Sequence, residues 1–476
     1  MSLGQQCWGC RWRRVRCDSQ QPSCLKCTKK GLPCPGYSTT KPLRWRHRVI
    51  KHETNDQTLL VLGFQAPVND DVAPSHVVLD ALTYYNAVVV PDLAADGSSS
   101  LYTIDISKWA EFNKSKRHLT LCLITLHRAV RELGNVNENQ TLFHYHQACA
   151  AEILSHKIKT FGQAGPDLEL FEDVSLFFFS QIQASAYGAW RAHLNAAKTL
   201  FNLWGVEALI GRSDFEFFLC HLVLADVYGT TMAPASHISA EDVSQHKVYL
   251  TLLGRFTVDV CSTMVPIPEV VVRATTAINM SRAAGTISDA HTMKEAQGIT
   301  SSPSAILESL QAFDPTDWAL QRPRHTFSQV TSWALLATCF QAAAVLYLVQ
   351  TCGTNVSLNN EDLVDDDCAL FYSRLSKAVR ELYDLRQHGG VLYKYILWPM
   401  VICGVEAIVR KDEQQLRVLC ESLERTTMDL GTLSMREAAI FLGELWNRNI
   451  KRVAELPSKT NLIWDDIFDC APLFLL

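Results

Sequence analysis

Several signatures are missing from this sequence, and each absence narrows its class. Its 476 residues contain no HExxH, no P-loop, no GxSxG and no GxGxxG after a strand, so nothing points to the common hydrolase or nucleotide-binding frameworks. The N-terminus has no apolar h-region, which predicts no signal peptide and argues against a secreted disulfide framework. Strand-type alternation is sparse. Beyond Cys34 no CxxC pair recurs. The other ten cysteines, from Cys122 to Cys470, read as small buried apolar residues, with a redox sensor among them as the alternative. The run Thr326–Asn360 lacks Asp, Glu, Lys and Arg and is most apolar at Trp333–Val349. At about 17 residues, with Gln341 inside, that stretch predicts a buried helix and not a membrane span, so no membrane partner is expected.

Acids are scarce in one place. Residues 1–52 hold twelve Lys/Arg and a single acid, Asp18, whereas the remaining 424 hold 32 Lys/Arg and 48 Asp/Glu. The overall charge of −5 therefore hides a basic head on an acidic body. Such a split points to a polyanion-binding module joined to something that does not bind polyanions.

The same head holds six of the sixteen cysteines, Cys7, Cys10, Cys17, Cys24, Cys27 and Cys34, spaced C-x2-C-x6-C-x6-C-x2-C-x6-C. This is an internal repeat: each half is C-x2-C-x6-C, and the second is offset from the first by 17 residues. Two cysteines separated by two residues can grip one metal, and a third closes from the far end of a short helix. Three thiolates leave tetrahedral zinc one ligand short. Six thiolates serving two zinc ions must therefore share two sulfurs, and the repeat symmetry makes Cys7 and Cys24 the natural bridges. A four-ligand ribbon or RING site would need a different ligand count and usually histidines.

Residues 7–37 resemble the fungal zinc binuclear cluster (Zn2Cys6) DNA-binding domain beyond the cysteines. Arg11, Arg13, Arg14, Val15, Arg16 and Asp18 follow its basic loop-helix pattern, Pro22 sits in its linker, and Lys29, Gly31, Gly36 and Tyr37 fit its closing segment. Trp12 departs from it, where many relatives carry a smaller or basic residue. The resemblance implies two Zn2+ per chain, two short helices, and binding of double-stranded DNA. It also implies that Arg13 and Arg14 contact a CGG-type triplet. Arginine donating twice to guanine O6 and N7 discriminates by about 1–3 kcal/mol. Arg11, Arg16, Lys26, Lys29 and Lys30 fit phosphate contacts, with a plain solvated side chain an equal alternative for Lys26 and Lys30. About 30 residues cannot bury a sufficient core, so the metal must hold this domain together.

The basic stretch 41–51 fits phosphate contacts, a nuclear import signal or a charged linker. No apolar heptad run appears between Tyr37 and His76, so monomer binding and a homodimer through the large domain both stay open. The expected division is a cluster domain at 1–37, a basic then polar linker at 38–73, and a large all-α regulatory domain at 74–476. Within that domain, Leu119, Leu123, Leu126, Val130 and Leu133 predict a helix stopping at Gly134, and Trp190, Leu194, Ala197, Phe201 and Trp204 one stopping at Gly205. Ser434 with Glu437 predicts a capping box before Ala438–Trp446. Arg282–Ser304 is small and polar and predicts a loop or disordered insertion. His144/His146 and His118/His127 lack a partnering carboxylate and read as surface or helix-end residues.

This region is similar to the fungal-specific transcription factor regulatory domain at Trp190 to Leu194 with Ala197, at Trp398, Pro399, Gly404 and Glu406, and at Trp446. These positions read as packing anchors. The acidic-apolar stretch Trp464–Asp469 reads either as an activation segment that docks coregulators or as a terminus packed on the body. Together these features predict a nuclear, zinc-dependent, sequence-specific RNA polymerase II transcription factor for a metabolic or biosynthetic gene set, not an enzyme. The alternative is a metabolite-binding protein or corepressor platform that the zinc head merely localises.

Overall fold

A computed structural model describes residues 7, 10, 15–20, 24–30, 72–93, 103–133, 140–160, 167–185, 190–209, 213–255, 267–284, 302–322, 327–352, 361–455 and 464–468. The chain divides into two compact units, Met1–Ala66 and Pro67–Leu476. Apart from Val72 and Ala73, the expected linker 38–73 lies outside the described residues.

In the first unit a single turn, α1 (Leu25–Thr28), is described. The second unit is helical, with no strand among the described residues. It begins with α2 (Ser75–Tyr84), which runs through a π-turn at Tyr85–Val89 into Val90–Leu93. There follow α3 (Lys114–Leu133), α4 (Gln140–Thr160), α5 (Leu168–Ala184), α6 (Trp190–Trp204), α7 (Ser213–Thr231) and α8 (Ala240–Leu253). Next come α9 (Glu269–Ala284), α10 (Pro303–Ala312), α11 (Pro315–Leu320), α12 (Phe327–Cys352) and α13 (Glu361–Asp384). The last are α14 (Leu397–Val409), α15 (Glu413–Leu430), α16 (Ser434–Glu455) and the turn α17 (Trp464–Ile467).

Local chemistry fixes many of these ends. Asp167, Ser239, Ser302, Asp314 and Asp412 each accept a bond from the first-turn amides of α5, α8, α10, α11 and α15, supplying partners the helix lacks. At Ser239 the bond is reciprocal, because Asp242 accepts from the Ser239 amide. Helix α6 stops at Gly205, whose φ of +78° suits glycine, as its periodicity predicts.

Two cores form. One joins α3 to α8 around Phe171, Trp190, Phe201 and Tyr249; the other joins α7 to α9–α17 around Tyr228, Phe340, Tyr347, Trp398 and Leu442. Helix α7 feeds both, Leu219 and Val223 facing the first and Leu224 and Tyr228 the second. That double duty explains why its sequence is apolar all round. The Trp190 ring lies against Gly229, where an added Cβ would sit 2.7 Å from its edge. Helix α14 is buried from Leu397 to Ile408, and Gly404 admits the Leu442 side chain.

The uncharged run is α12. Its apolar segment from Gln329 to Cys352 is long enough to cross a membrane, but 72% of an 18-residue apolar stretch within it is buried inside this unit. Gln341 inside it is satisfied: its Nε2 donates to the carbonyls of Leu310 and Phe313 at the end of α10 (2.6 and 2.8 Å).

Three sequence expectations change. Arg282 belongs to α9, not to a loop, and is buried; α10 starts at Pro303 behind Ser302, which leaves 285–301 outside the described residues. Glu437 does not cap Ser434; it accepts from the Ser185 hydroxyl at the end of α5 (2.8 and 3.0 Å), while α16 itself begins at Ser434. His118, His127 and His146 are buried, not superficial. The real pair is His118 with His146, whose Nδ1 atoms are 3.0 Å apart across α3 and α4; His144 is exposed. Burial pushes His127 and His146 down to about 4. Of the two readings of the terminal stretch, the packed terminus is the one seen at Trp464–Phe468, with Trp464, Ile467 and Phe468 buried. Trp190 and Trp398 are core anchors, as expected, and Trp446 is half-buried.

Candidate metal centre and nucleic-acid interface

The head is built on sulfur. Cys7, Cys10, Cys24 and Cys27 are buried and Cys17 is half-buried, and among the described residues of this unit these cysteines alone form the buried cluster. The ligand sulfurs of Cys7, Cys10, Cys17 and Cys24 all lie within 4.8 Å of one another. Cys7 Sγ is 3.5 Å from Cys24 Sγ and 3.8 Å from Cys27 Sγ, and Cys10 Sγ is 3.6 Å from Cys24 Sγ. A disulfide would hold sulfurs at about 2.0 Å. With Zn–S bonds of about 2.3 Å, the edge of a tetrahedral sulfur site is about 3.8 Å. The observed spacing is that of metal ligands.

The two halves of the repeat fold alike. In the first, the Cys10 amide donates to Cys7 Sγ (3.3 Å); in the second, the Cys27 amide donates to Cys24 Sγ (3.3 Å). Each CxxC pair thus turns its first sulfur inward under a backbone donor, which favours the thiolate. The Cys7 and Ser19 amides also reach Cys17 Sγ, at 3.5 and 3.4 Å. Burial and the adjoining Cys24 sulfur push the Cys10 thiol up to about 12. A divalent cation would supply the charge that favours its thiolate, so the site fits a bound metal.

Sequence reasoning passed over the role of Asp18. Its carboxylate accepts from the Leu25 and Lys26 amides at 3.0 and 3.4 Å, tying the first half to the N-terminus of α1, and those amides hold its carboxyl below the usual range. Its being the one acid in a basic head was the available signal.

Of the expected DNA contacts, Arg16, Lys26 and Lys29 are exposed, as is Lys30. Cys34, Arg11, Arg13 and Arg14 lie outside the described residues, so the structure brings together five of the six cysteines and leaves the triplet-reading arginines unplaced. In the body the charged groups serve packing. Lys198 of α6 bridges Asp226 of α7 and Asp242 of α8 (2.9 and 2.8 Å), and the Tyr249 hydroxyl donates to Asp226 (3.0 Å).

Known proteins divide along the same line. Residues 81–475 match the fungal specific transcription factor domain, and residues 5–44 match the fungal Zn(2)-Cys(6) binuclear cluster domain. The phomenoic acid biosynthesis cluster-specific transcriptional regulator of Leptosphaeria maculans is 22% identical over 98% of this chain and 88% of its own length. Arginine metabolism regulation protein II of Saccharomyces cerevisiae is 51% identical over 8% of this chain and 4% of its own. The ergochrome gene cluster transcriptional regulator of Claviceps purpurea is 41% identical over 9% of each chain. No solved structure matches.

Proposed function

Because this chain belongs to the family of fungal transcription factors that carry a Zn(2)-Cys(6) cluster and a fungal-specific transcription factor domain, we propose that it reads CGG-type DNA sites in the nucleus and controls RNA polymerase II transcription of a biosynthetic gene set. The family is one of transcription regulators, not enzymes. The observation that carries the reading is the sulfur cluster beneath an exposed basic surface. Cross-half contacts run through Cys7 and Cys24: they lie close to each other, Cys7 lies close to Cys27, and Cys24 lies close to Cys10 and Cys17. That arrangement supports two zinc ions sharing these two sulfurs, with Cys10, Cys17, Cys27 and Cys34 as terminal ligands. Arg13 and Arg14 would then read the triplet, while Arg11, Arg16, Lys26 and Lys29 neutralise phosphate. A body at 74–476 joined through a linker at 38–73 would supply regulation and any homodimer or coregulator contact. The biosynthetic assignment follows the name of the relative that spans nearly the whole chain.

Selection of bound duplexes from a randomised pool by the full-length, zinc-loaded chain tests this. A CGG-type triplet should be enriched, and Arg14→Ala should flatten the preference at one base pair while the chain keeps its zinc. A zinc-loaded chain that enriches no sequence would reject the proposal.

A further inference from the structure

The one acid of the head joins the two halves of the cysteine repeat at a second place. Asp18 directly follows Cys17, and the amides it holds belong to Leu25 and Lys26, the first two residues after Cys24. Cys17 and Cys24 come from opposite halves, and their sulfurs lie within 4.8 Å of each other. The halves therefore meet at sulfur and again, one residue on, through the Asp18 carboxylate at 3.0 and 3.4 Å. A contact at sulfur alone is a pivot about which the halves can turn. A second tie, offset from the first, removes that rotation. The backbone supports it: Ser19, the next residue, is held at φ +58°, a left-handed conformation that few non-glycine residues adopt. The Ser19 amide donates to Cys17 Sγ (3.4 Å), so one short loop fixes both the sulfur and the carboxylate. Asp18 is also exposed, in a head with twelve Lys/Arg, where its charge repels the phosphates that the rest attracts.

Resting on the reading of the head as a DNA reader, we propose that Asp18 is a positioning residue for sequence selection. It fixes the angle between the half that carries Arg13 and Arg14 and the turn α1, which carries Lys26 and ends at Lys29. Phosphate contacts set the register and base contacts specify the sequence, so selection needs both from a single pose. An angle free to vary leaves the phosphate grip intact and spreads the arginines over neighbouring base pairs. Asp18 thereby governs the ratio of specific to non-specific binding, while its charge lowers both alike.

The test measures the affinity of the full-length, zinc-loaded chain for a duplex with a CGG-type triplet and for a scrambled duplex, together with bound zinc. Asp18→Asn keeps an acceptor at the same reach and Asp18→Ala removes it, while both lose the same charge. Both variants should bind the scrambled duplex more tightly, because one repulsive charge is gone. The preference for the triplet should survive in Asp18→Asn, since asparagine caps a turn as well as aspartate does. In Asp18→Ala it should fall about tenfold, the scale of a lost cap, with zinc content unchanged. If Asp18→Ala sheds zinc, Asp18→Glu takes its place: it keeps the charge, displaces the acceptor by one methylene and should lose preference in the same way. A zinc-loaded variant without the acceptor in place that prefers the triplet as strongly as the wild type would overturn the positioning role. An equal loss in Asp18→Asn would overturn it too, by making the charge responsible. A wild type that prefers neither duplex would instead reject the reading of the head on which the role rests.

Discussion

The head and the body of this protein solve the problem of staying folded in opposite ways. In the head, five described cysteines form the interior and one carboxylate, Asp18, ties the second turn in place. The body buries whole helices, α14 from Leu397 to Ile408 among them, and pairs interior polar groups such as Arg282 and Gln341 with partners distant in sequence. A fold that depends on sulfur and metal is switched by the metal and by acid. One that depends on apolar area is damaged mainly by lost volume. The two units should therefore fail independently.

Cys24→Ser gives the largest separation. If two zinc ions share this sulfur, as proposed, its loss should release both and abolish DNA binding, while the thermal transition of the body, followed by far-ultraviolet circular dichroism, stays in place. Loss of a single zinc with binding retained would show that Cys24 is a terminal ligand. Trp398→Ala runs the other way. Its ring is buried among Tyr228, Phe340 and Tyr347, and its Nε1 donates to Thr231 Oγ1 (2.9 Å). The substitution should destabilise the body by about 3–5 kcal/mol in denaturant unfolding and leave zinc content unchanged.

Acid sharpens the contrast further. His127 and His146 are held down to about 4 by burial, so the unfolded chain, with histidines near 6.5, binds more protons between those values. The stability tied to their neutral forms is complete above about pH 6.5 and is lost as pH falls toward 4. The limiting slope is about 1.4 kcal/mol per pH unit for each histidine. Thermal midpoints at pH 7 and pH 5 should differ in the wild type, and the difference should shrink in His127→Gln, where only the His146 contribution of the pair is left. A midpoint indifferent to pH would remove these histidines from the stability balance. The smallest effect belongs to Lys29→Ala, which should lower the slope of log affinity against log salt by about 0.9 without changing the preferred sequence.

These contrasts also show where the sequence was legible. The metal site was readable because its ligands are local and periodic, two CxxC pairs repeating at 17 residues. Helix α6 was readable because its apolar period and Gly205 are local too. Arg282 was not: it adjoins small, polar residues that suggest a loop, and its partners Tyr347 and Asp465 lie 65 and 183 residues away. The same distance effect hid the bond from Ser185 to Glu437, which made a capping box look complete. His118 and His146 sit 28 residues apart on different helices, so sequence spacing paired His118 with His127 instead. Asp18 lay in plain view, but its role depends on a turn that brings it to the Leu25 amide.

The most direct measurement is native mass spectrometry of the full-length chain with a duplex containing a CGG-type triplet, before and after chelation. Zinc-dependent reading requires a complex of chain, two zinc ions and duplex, and its disappearance after chelation while the helical body keeps its thermal transition. A metal-free chain that still selects the triplet duplex over a scrambled one would contradict it.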